Sequence, residues 1–145
     1  KFFETAILNE IEHRGKGDAE LYSMLGDLYL AGERFEQAAS AYNSALELKP
    51  DSAIALNNYA WMLATAPDPA HRNPELALAL ARRAAAIERS PHVLDTLAES
   101  LYVNKAFAQA IEAGTIALEL ARTNRAYYKK QLEKFKAAME KPIFE

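Results

Sequence analysis

The sequence predicts an all-α chain, a solenoid of antiparallel helix pairs, and three observations carry that reading. Residues 19–52 hold small and aromatic residues at the spacings of one complete helix-turn-helix unit, and the same packing positions recur further along. Strand signals are nearly absent, because alanine and leucine dominate and β-branched residues are few. The six prolines and five glycines fall mostly at the proposed boundaries. With 145 residues, 50% of them apolar, the chain is long enough for one domain, 1–145, with a continuous core.

The first element, FFETAILNEIEH at 2–13, sets Phe3, Ile7, Leu8 and Ile11 on one helical stripe before GKGD breaks it. It reads as the second helix of a partial repeat whose first helix is missing. A start at Lys1 rather than at Met points to a fragment of a longer protein.

In 19–52, Tyr22, Leu25 and Tyr29 lie on one stripe of a first helix, and Phe35, Ala38, Tyr42 and Ala45 on one stripe of a second. Gly26 and Ala45 are small where two antiparallel helices must approach closely. Gly32 sits between the stripes, where a left-handed residue would end the first helix. Pro50 stops the second, and Asp51 or Ser52 can cap the next. Leu25-Gly26, Tyr29, Ala38, Tyr42, Ala45 and Pro50 fit the tetratricopeptide pattern, with Tyr22 where tryptophan is usual. The segment therefore resembles a tetratricopeptide repeat, and the resemblance implies a right-handed superhelix. One such unit cannot bury both faces of its hairpin, so neighbours are required.

Residues 91–124 form a second good copy at one constant offset. Leu97-Ala98 stand against Leu25-Gly26, Asn104 against Gly32, Phe107 against Phe35, Ala110 against Ala38 and Ala117 against Ala45. Asn is the next-best left-handed residue after Gly, which suits the turn. Gly114 replaces Tyr42 and removes a large core side chain. Between the copies, 53–90 is a third unit, with Leu56, Tyr59-Ala60 and Leu63 in its first helix and Ala77, Ala81 and Ala84 in its second. Ala60 and Ala77 are further apart than Gly26 and Ala38, so the inter-helix loop APDPAHRN is lengthened, as in many bacterial tetratricopeptide proteins. Asn73-Pro74 and Glu75 restart the helix. Residues 125–141 predict a helix with Tyr128, Leu132, Phe135 and Met139 inward, a capping helix or else the first helix of a further repeat.

Composition narrows the function classes. No apolar run approaches the roughly 20 residues that span a bilayer, so membrane insertion is not expected of this sequence. The absence of cysteine removes disulfide and thiol chemistry but fits cytoplasm or periplasm alike, and the compartment stays open. Net charge is −3, and Arg122, Arg125, Lys129, Lys130, Lys134, Lys136 and Lys141 concentrate positive charge at the end, leaving an acidic body. Nucleic acid is not an expected partner of such a body, and the basic run reads as a solvated face.

Catalysis finds no set of residues to carry it. His13, His71 and His92 lack metal-ligand spacing, and neither H-E-x-x-H nor G-x-S-x-G occurs. Gly15-Lys16-Gly17 lacks the rest of a phosphate loop and reads as a hinge. Asp95 and Glu99, one turn apart, are expected to be solvated surface acids rather than a proton-sharing pair. No cofactor or metal is expected.

In tetratricopeptide families the first helices line a concave groove. The resemblance thus assigns to the groove Glu20, Ser23, Asp27 and Leu30 from the first unit, Asn57, Asn58, Trp61 and Thr65 from the second, and His92, Asp95, Glu99 and Tyr102 from the third. Asn58 matches an asparagine that, in peptide-binding members, bonds the backbone of an extended ligand; an ordinary exposed helix asparagine is the alternative. Trp61 is either a partner anchor or a wedge against the loop or the next repeat. The clamp that grips chaperone-tail carboxylates uses lysines and arginine with two asparagines; Ser23, Asp27, His92 and Thr96 occupy the other places, so only Asn58 fits. The expected function is a protein-interaction scaffold whose groove favours a neutral or basic protein or peptide segment. The alternative is a structural segment that self-associates through exposed terminal helices, and an enzyme of unrecognised type is a weaker reading.

Overall fold

The computed structural model describes residues 1–14 and 17–141. Eight α-helices occur among them: α1 (Phe2–His13), α2 (Ala19–Ala31), α3 (Phe35–Leu48), α4 (Ala53–Thr65), α5 (Pro74–Ile87), α6 (Pro91–Val103), α7 (Phe107–Leu120) and α8 (Arg125–Glu140). No strand occurs among the described residues, and no helix there is long and apolar enough to cross a membrane. Gly15 and Lys16, read from the sequence as part of a hinge, lie outside them.

Polar side chains set several helix starts by accepting from backbone N–H groups that have no helical partner. Asp18 accepts from Glu20 and Leu21, Ser52 from Ala55, and Asn73 from Leu76, with Pro74 in the first turn of α5. Helices pair as α2 with α3, α4 with α5 and α6 with α7, and the first helices α2, α4 and α6 lie in sequence beside one another. Alanines at the crossings are fully buried, including Ala38, Ala45, Ala60, Ala81, Ala98 and Ala117. Small side chains there let the hairpin axes approach to about 8–10 Å.

The tightest approach is at Gly26. A Cβ on this residue would lie 2.5 Å from Cε1 of Tyr42, so the fully buried phenol ring of α3 rests on bare backbone of α2. The ring also stacks on Tyr59 of α4, centroids 5.6 Å apart. One side chain thus joins a hairpin to its neighbour.

The α2–α3 turn differs from the expectation by one residue. Gly32 has φ −90° and Glu33 has φ 56°. The bonds from Arg34 N–H to the Tyr29 carbonyl and from Glu33 N–H to that of Leu30 make a Schellman motif, in which the left-handed residue is the one after the cap. The α6–α7 turn repeats this with Lys105 at φ 63°, while Asn104 keeps φ −88°. Asn104 serves through its side chain instead, donating to the carbonyls of Ser100 and Pro74 at 2.7 Å each.

Between α4 and α5 the chain passes through residues 66–73, including a 3₁₀ turn at Pro69–His71. This connection is held at several points. Asn73 N–H bonds the Leu63 carbonyl at 2.9 Å, Arg72 donates to the carbonyls of Ala66 and Pro67, and the His71 ring stacks on Phe35 of the preceding hairpin at 4.8 Å.

The terminal helices depart from their predicted stripes. In α1 only Ile11 is buried and Ile7 half-buried, whereas Phe3 and Leu8 are exposed. The helix packs against α2 with nothing described on its other side, so it has one covered face rather than two. In α8 Leu132 and Phe135 are buried, but Met139 in the last turn is 56% exposed beside the α6–α7 turn. Phe135 is fully buried, and a Cβ on Gly114 would lie 3.2 Å from its ring. The space given up by Gly114 is filled from the next helix.

The turn and crossing geometries give opposite signs for three glycine-related changes, all readable by urea unfolding. Gly26→Ala should lose about 1–3 kcal/mol by overpacking against Tyr42. Gly32→Ala should be neutral or gain up to about 1 kcal/mol, and Glu33→Gly should also gain up to about 1 kcal/mol by relieving a left-handed non-glycine residue.

Candidate functional site

The first helices face a common concavity, and where they meet they enclose a cleft of about 470 Å³. Asp27 and Leu30 reach it from α2, Asn57, Asn58 and Trp61 from α4, and His92 and Asp95 from α6. All seven are among the residues that the sequence assigns to a groove. Ala31, Thr96 and Tyr127 also line it; the repeat pattern assigned none of them to the groove, and named only Thr96, at a clamp position.

Asp27 is exposed but not free to swing. Its Oδ1 accepts from the Tyr42 hydroxyl at 2.7 Å and from Asn58 Nδ2 at 2.9 Å. Burial, and secondarily this carboxylate, pushes the Tyr42 phenol far above its ordinary pKa, so it stays a donor. Asn58 Oδ1 in turn accepts from Asn57 Nδ2 at 3.2 Å. Because the carboxylate can only accept, it fixes the orientation of the Asn58 amide, and that amide fixes Asn57. The relay leaves Asn57 Oδ1 buried without a partner.

Five of the assigned residues do not line the cleft. Glu20 is exposed at the start of α2, and Ser23 is buried with its hydroxyl donating to the Ala19 carbonyl at 2.9 Å. Thr65 donates to the Trp61 carbonyl at 2.7 Å. Tyr102 packs against Phe107 and Phe135, with Lys134 Nζ 4.8 Å above its ring. Glu99 is 6% exposed, and its Oε2 accepts from Gln131 Nε2 at 3.0 Å and Lys134 Nζ at 2.6 Å.

Asp95 and Glu99 are therefore not solvated surface acids. Asp95 is 4% exposed and accepts from the Tyr127 hydroxyl at 2.7 Å and Gln131 Nε2 at 3.2 Å. The cover comes from α8, whose Tyr127, Gln131 and Lys134 form a second stripe beside the apolar one. A signal for this existed in the sequence, since donors spaced by one helical turn match acids spaced likewise. Among the described residues no group of three or more His, Cys, Asp or Glu side chains could hold a metal ion. The cleft presents acceptors and aromatic faces, which suits recognition.

Burial raises the Asp95 pKa above the ordinary aspartate range; the Tyr127 and Gln131 donors and the Lys134 charge oppose that rise and Glu99 adds to it. A folded pKa above the unfolded one means that the folded state holds the extra proton, so this residue's contribution to stability falls as pH rises from about 3.9 through the raised value. Asp95→Asn should flatten that fall by at most about 1.4 kcal/mol per pH unit, read as the difference between wild-type and variant unfolding free energies across pH.

Residues 19–51 match the family model described as SHNi-TPR. No curated protein matches by sequence. Among solved structures, the chain is similar to the first TPR of Spaghetti (RPAP3) bound to the HSP90 peptide SRMEEVD, at 18% identity over 85% of this chain and 94% of that one, with a TM-score of 0.71. It is also similar to MamA from Desulfovibrio magneticus RS-1, at 17% identity over 94% of this chain and 78% of that one, TM-score 0.71. A third similar structure is a thermophilic TPR protein of Thermus thermophilus, at 20% identity over 90% and 69% of the two chains, TM-score 0.67. Residues 19–51 are thus a tetratricopeptide repeat, and the chain as a whole has the tetratricopeptide-repeat fold.

Proposed function

We propose that this chain is a protein-interaction scaffold whose concave cleft holds a peptide or helix of a partner. The observation that carries the reading is the cleft itself, built from three successive first helices around the half-buried Trp61, with Asp27 and Asp95 on its walls. An amphipathic indole at the centre of a concave surface is the kind of anchor that dominates interface energetics. The similar RPAP3 domain binds an HSP90 peptide that ends in acidic residues. The lining here includes no lysine or arginine, so an acidic tail meets like charge, and a neutral or basic segment is the better occupant.

A second, structural reading is favoured by α1, where Phe2 is 81% and Phe3 69% exposed. Two adjacent exposed rings suit stacking onto a further repeat or a second copy. If this face drives association, light scattering should show a mass that rises with concentration and returns to the monomer in the double variant Phe2→Ser, Phe3→Ser. A monomer at every concentration overturns it.

Trp61 is the sole tryptophan, which makes the groove reading testable by its own fluorescence. Peptides selected from a random library should be neutral or basic and should shift Trp61 emission, and Trp61→Ala should weaken them about 30-fold by isothermal titration calorimetry. Selected peptides that bind wild type and Trp61→Ala equally place the interaction elsewhere.

A further inference from the structure

We infer that the group seated in the cleft is an arginine side chain of the partner, its guanidinium held by Asp27, Asn57 and Asp95 between the rings of Trp61 and Tyr127. The inference rests on the groove reading above and specifies its anchor.

Donors and acceptors around the cleft do not balance. Each of its side-chain amide and phenol groups already donates within the wall: Asn58 Nδ2 to Asp27, Asn57 Nδ2 to Asn58, and the Tyr127 hydroxyl to Asp95. The Thr96 hydroxyl is turned into its own helix, donating to the His92 carbonyl at 3.1 Å. Acceptors remain in surplus. No described residue donates to Asp27 Oδ2, since both of the bonds that Asp27 accepts fall on Oδ1. Asn57 is only 7% exposed, and its Oδ1 has no partner at all. A buried unpaired acceptor is costly, so a ligand whose donor reaches that atom, by a small turn of the Asn57 amide toward the cleft it lines, recovers binding energy there. Asp95 adds a second carboxylate with lone pairs beyond those that Tyr127 and Gln131 occupy.

Such a site asks for a ligand group that only donates, carries positive charge and tolerates aromatic walls. Guanidinium meets all three, with five N–H donors in a planar fork, no acceptor, and a flat face that stacks on rings. An ammonium offers three donors from one point and is more strongly hydrated. A backbone N–H brings no charge. A carboxylate in the same place would meet Asp27 and Asp95 with no lysine or arginine in the lining to offset them.

The test uses three small probes on the full chain: the N-acetyl amides of arginine, lysine and citrulline, citrulline being the neutral near-isostere of arginine. Binding is read by the Trp61 indole resonance in NMR titrations. Arginine amide should shift that resonance at millimolar concentration and bind about tenfold more tightly than citrulline amide, with lysine amide between them. Asp27→Asn, checked for folding by circular dichroism, should reduce arginine binding to the citrulline level. Equal affinities for arginine and citrulline, or no Trp61 shift with arginine at tens of millimolar, overturn the inference. The groove reading fails separately, if library-selected peptides leave Trp61 unaffected. A selected peptide that perturbs Trp61 and keeps its affinity when each arginine is replaced by citrulline refutes the arginine anchor alone.

Discussion

The contact of Tyr42 with Gly26 ties core packing to groove chemistry. The ring closes the α2–α3 hairpin against bare backbone, its face stacks on Tyr59 of the following hairpin, and its hydroxyl holds the Asp27 carboxylate at the cleft wall. A carboxylate on an exposed helix position would ordinarily sample several rotamers. Here a buried phenol and a neighbouring amide fix it, so the position of the charge on the cleft wall is set in part by a core residue behind that wall. A wall ordered in advance in this way would cost less to engage than one that has to be ordered on contact.

The third unit solves the same problem with different parts. Gly114 stands where Tyr42 would be, and Glu99 stands where Asp27 would be. Both functions of the missing tyrosine come from α8: Phe135 fills the space over Gly114, and Gln131 with Lys134 donate to Glu99. The acid that is exposed in the first unit is consequently sealed in the third. This asymmetry gives the concavity one open wall at Asp27 and one covered flank under α8, and it explains why Glu99 and Tyr102 are lost to the cleft while Tyr127 joins it.

The hairpins were legible in the sequence because they rest on local rules. Asn73-Pro74 marks a helix start by capping and by proline geometry, and Gly26 marks a close approach because no side chain fits there. The left-handed residues were displaced by one because the pattern identifies a turn, while the hydrogen bonds of a Schellman motif decide which residue bears the positive φ; Glu33 and Lys105 carry no compositional sign of it. The state of Asp95 and Glu99 was hidden for another reason. Their burial depends on a helix some thirty residues away in the chain, and single-helix amphipathicity cannot report what packs over a polar stripe. Gly114 was the visible clue, since a repeat that gives up a core ring must recover it from elsewhere.

The segment at 66–73 is more than a connection. His71 stacks on Phe35 in the preceding hairpin, and just after the segment the Pro74 carbonyl accepts from Asn104 in the following one. In a stack where each unit touches only its neighbours, stability is a sum of unit terms and interface terms. The connection and the first residue of α5 together reach both ways, and so add to the interface terms on either side of the middle unit without enlarging any unit's core. The middle hairpin then acts as the keystone of the array: opening it uncouples both flanking hairpins at once, whereas the outermost helices can fray without disturbing it.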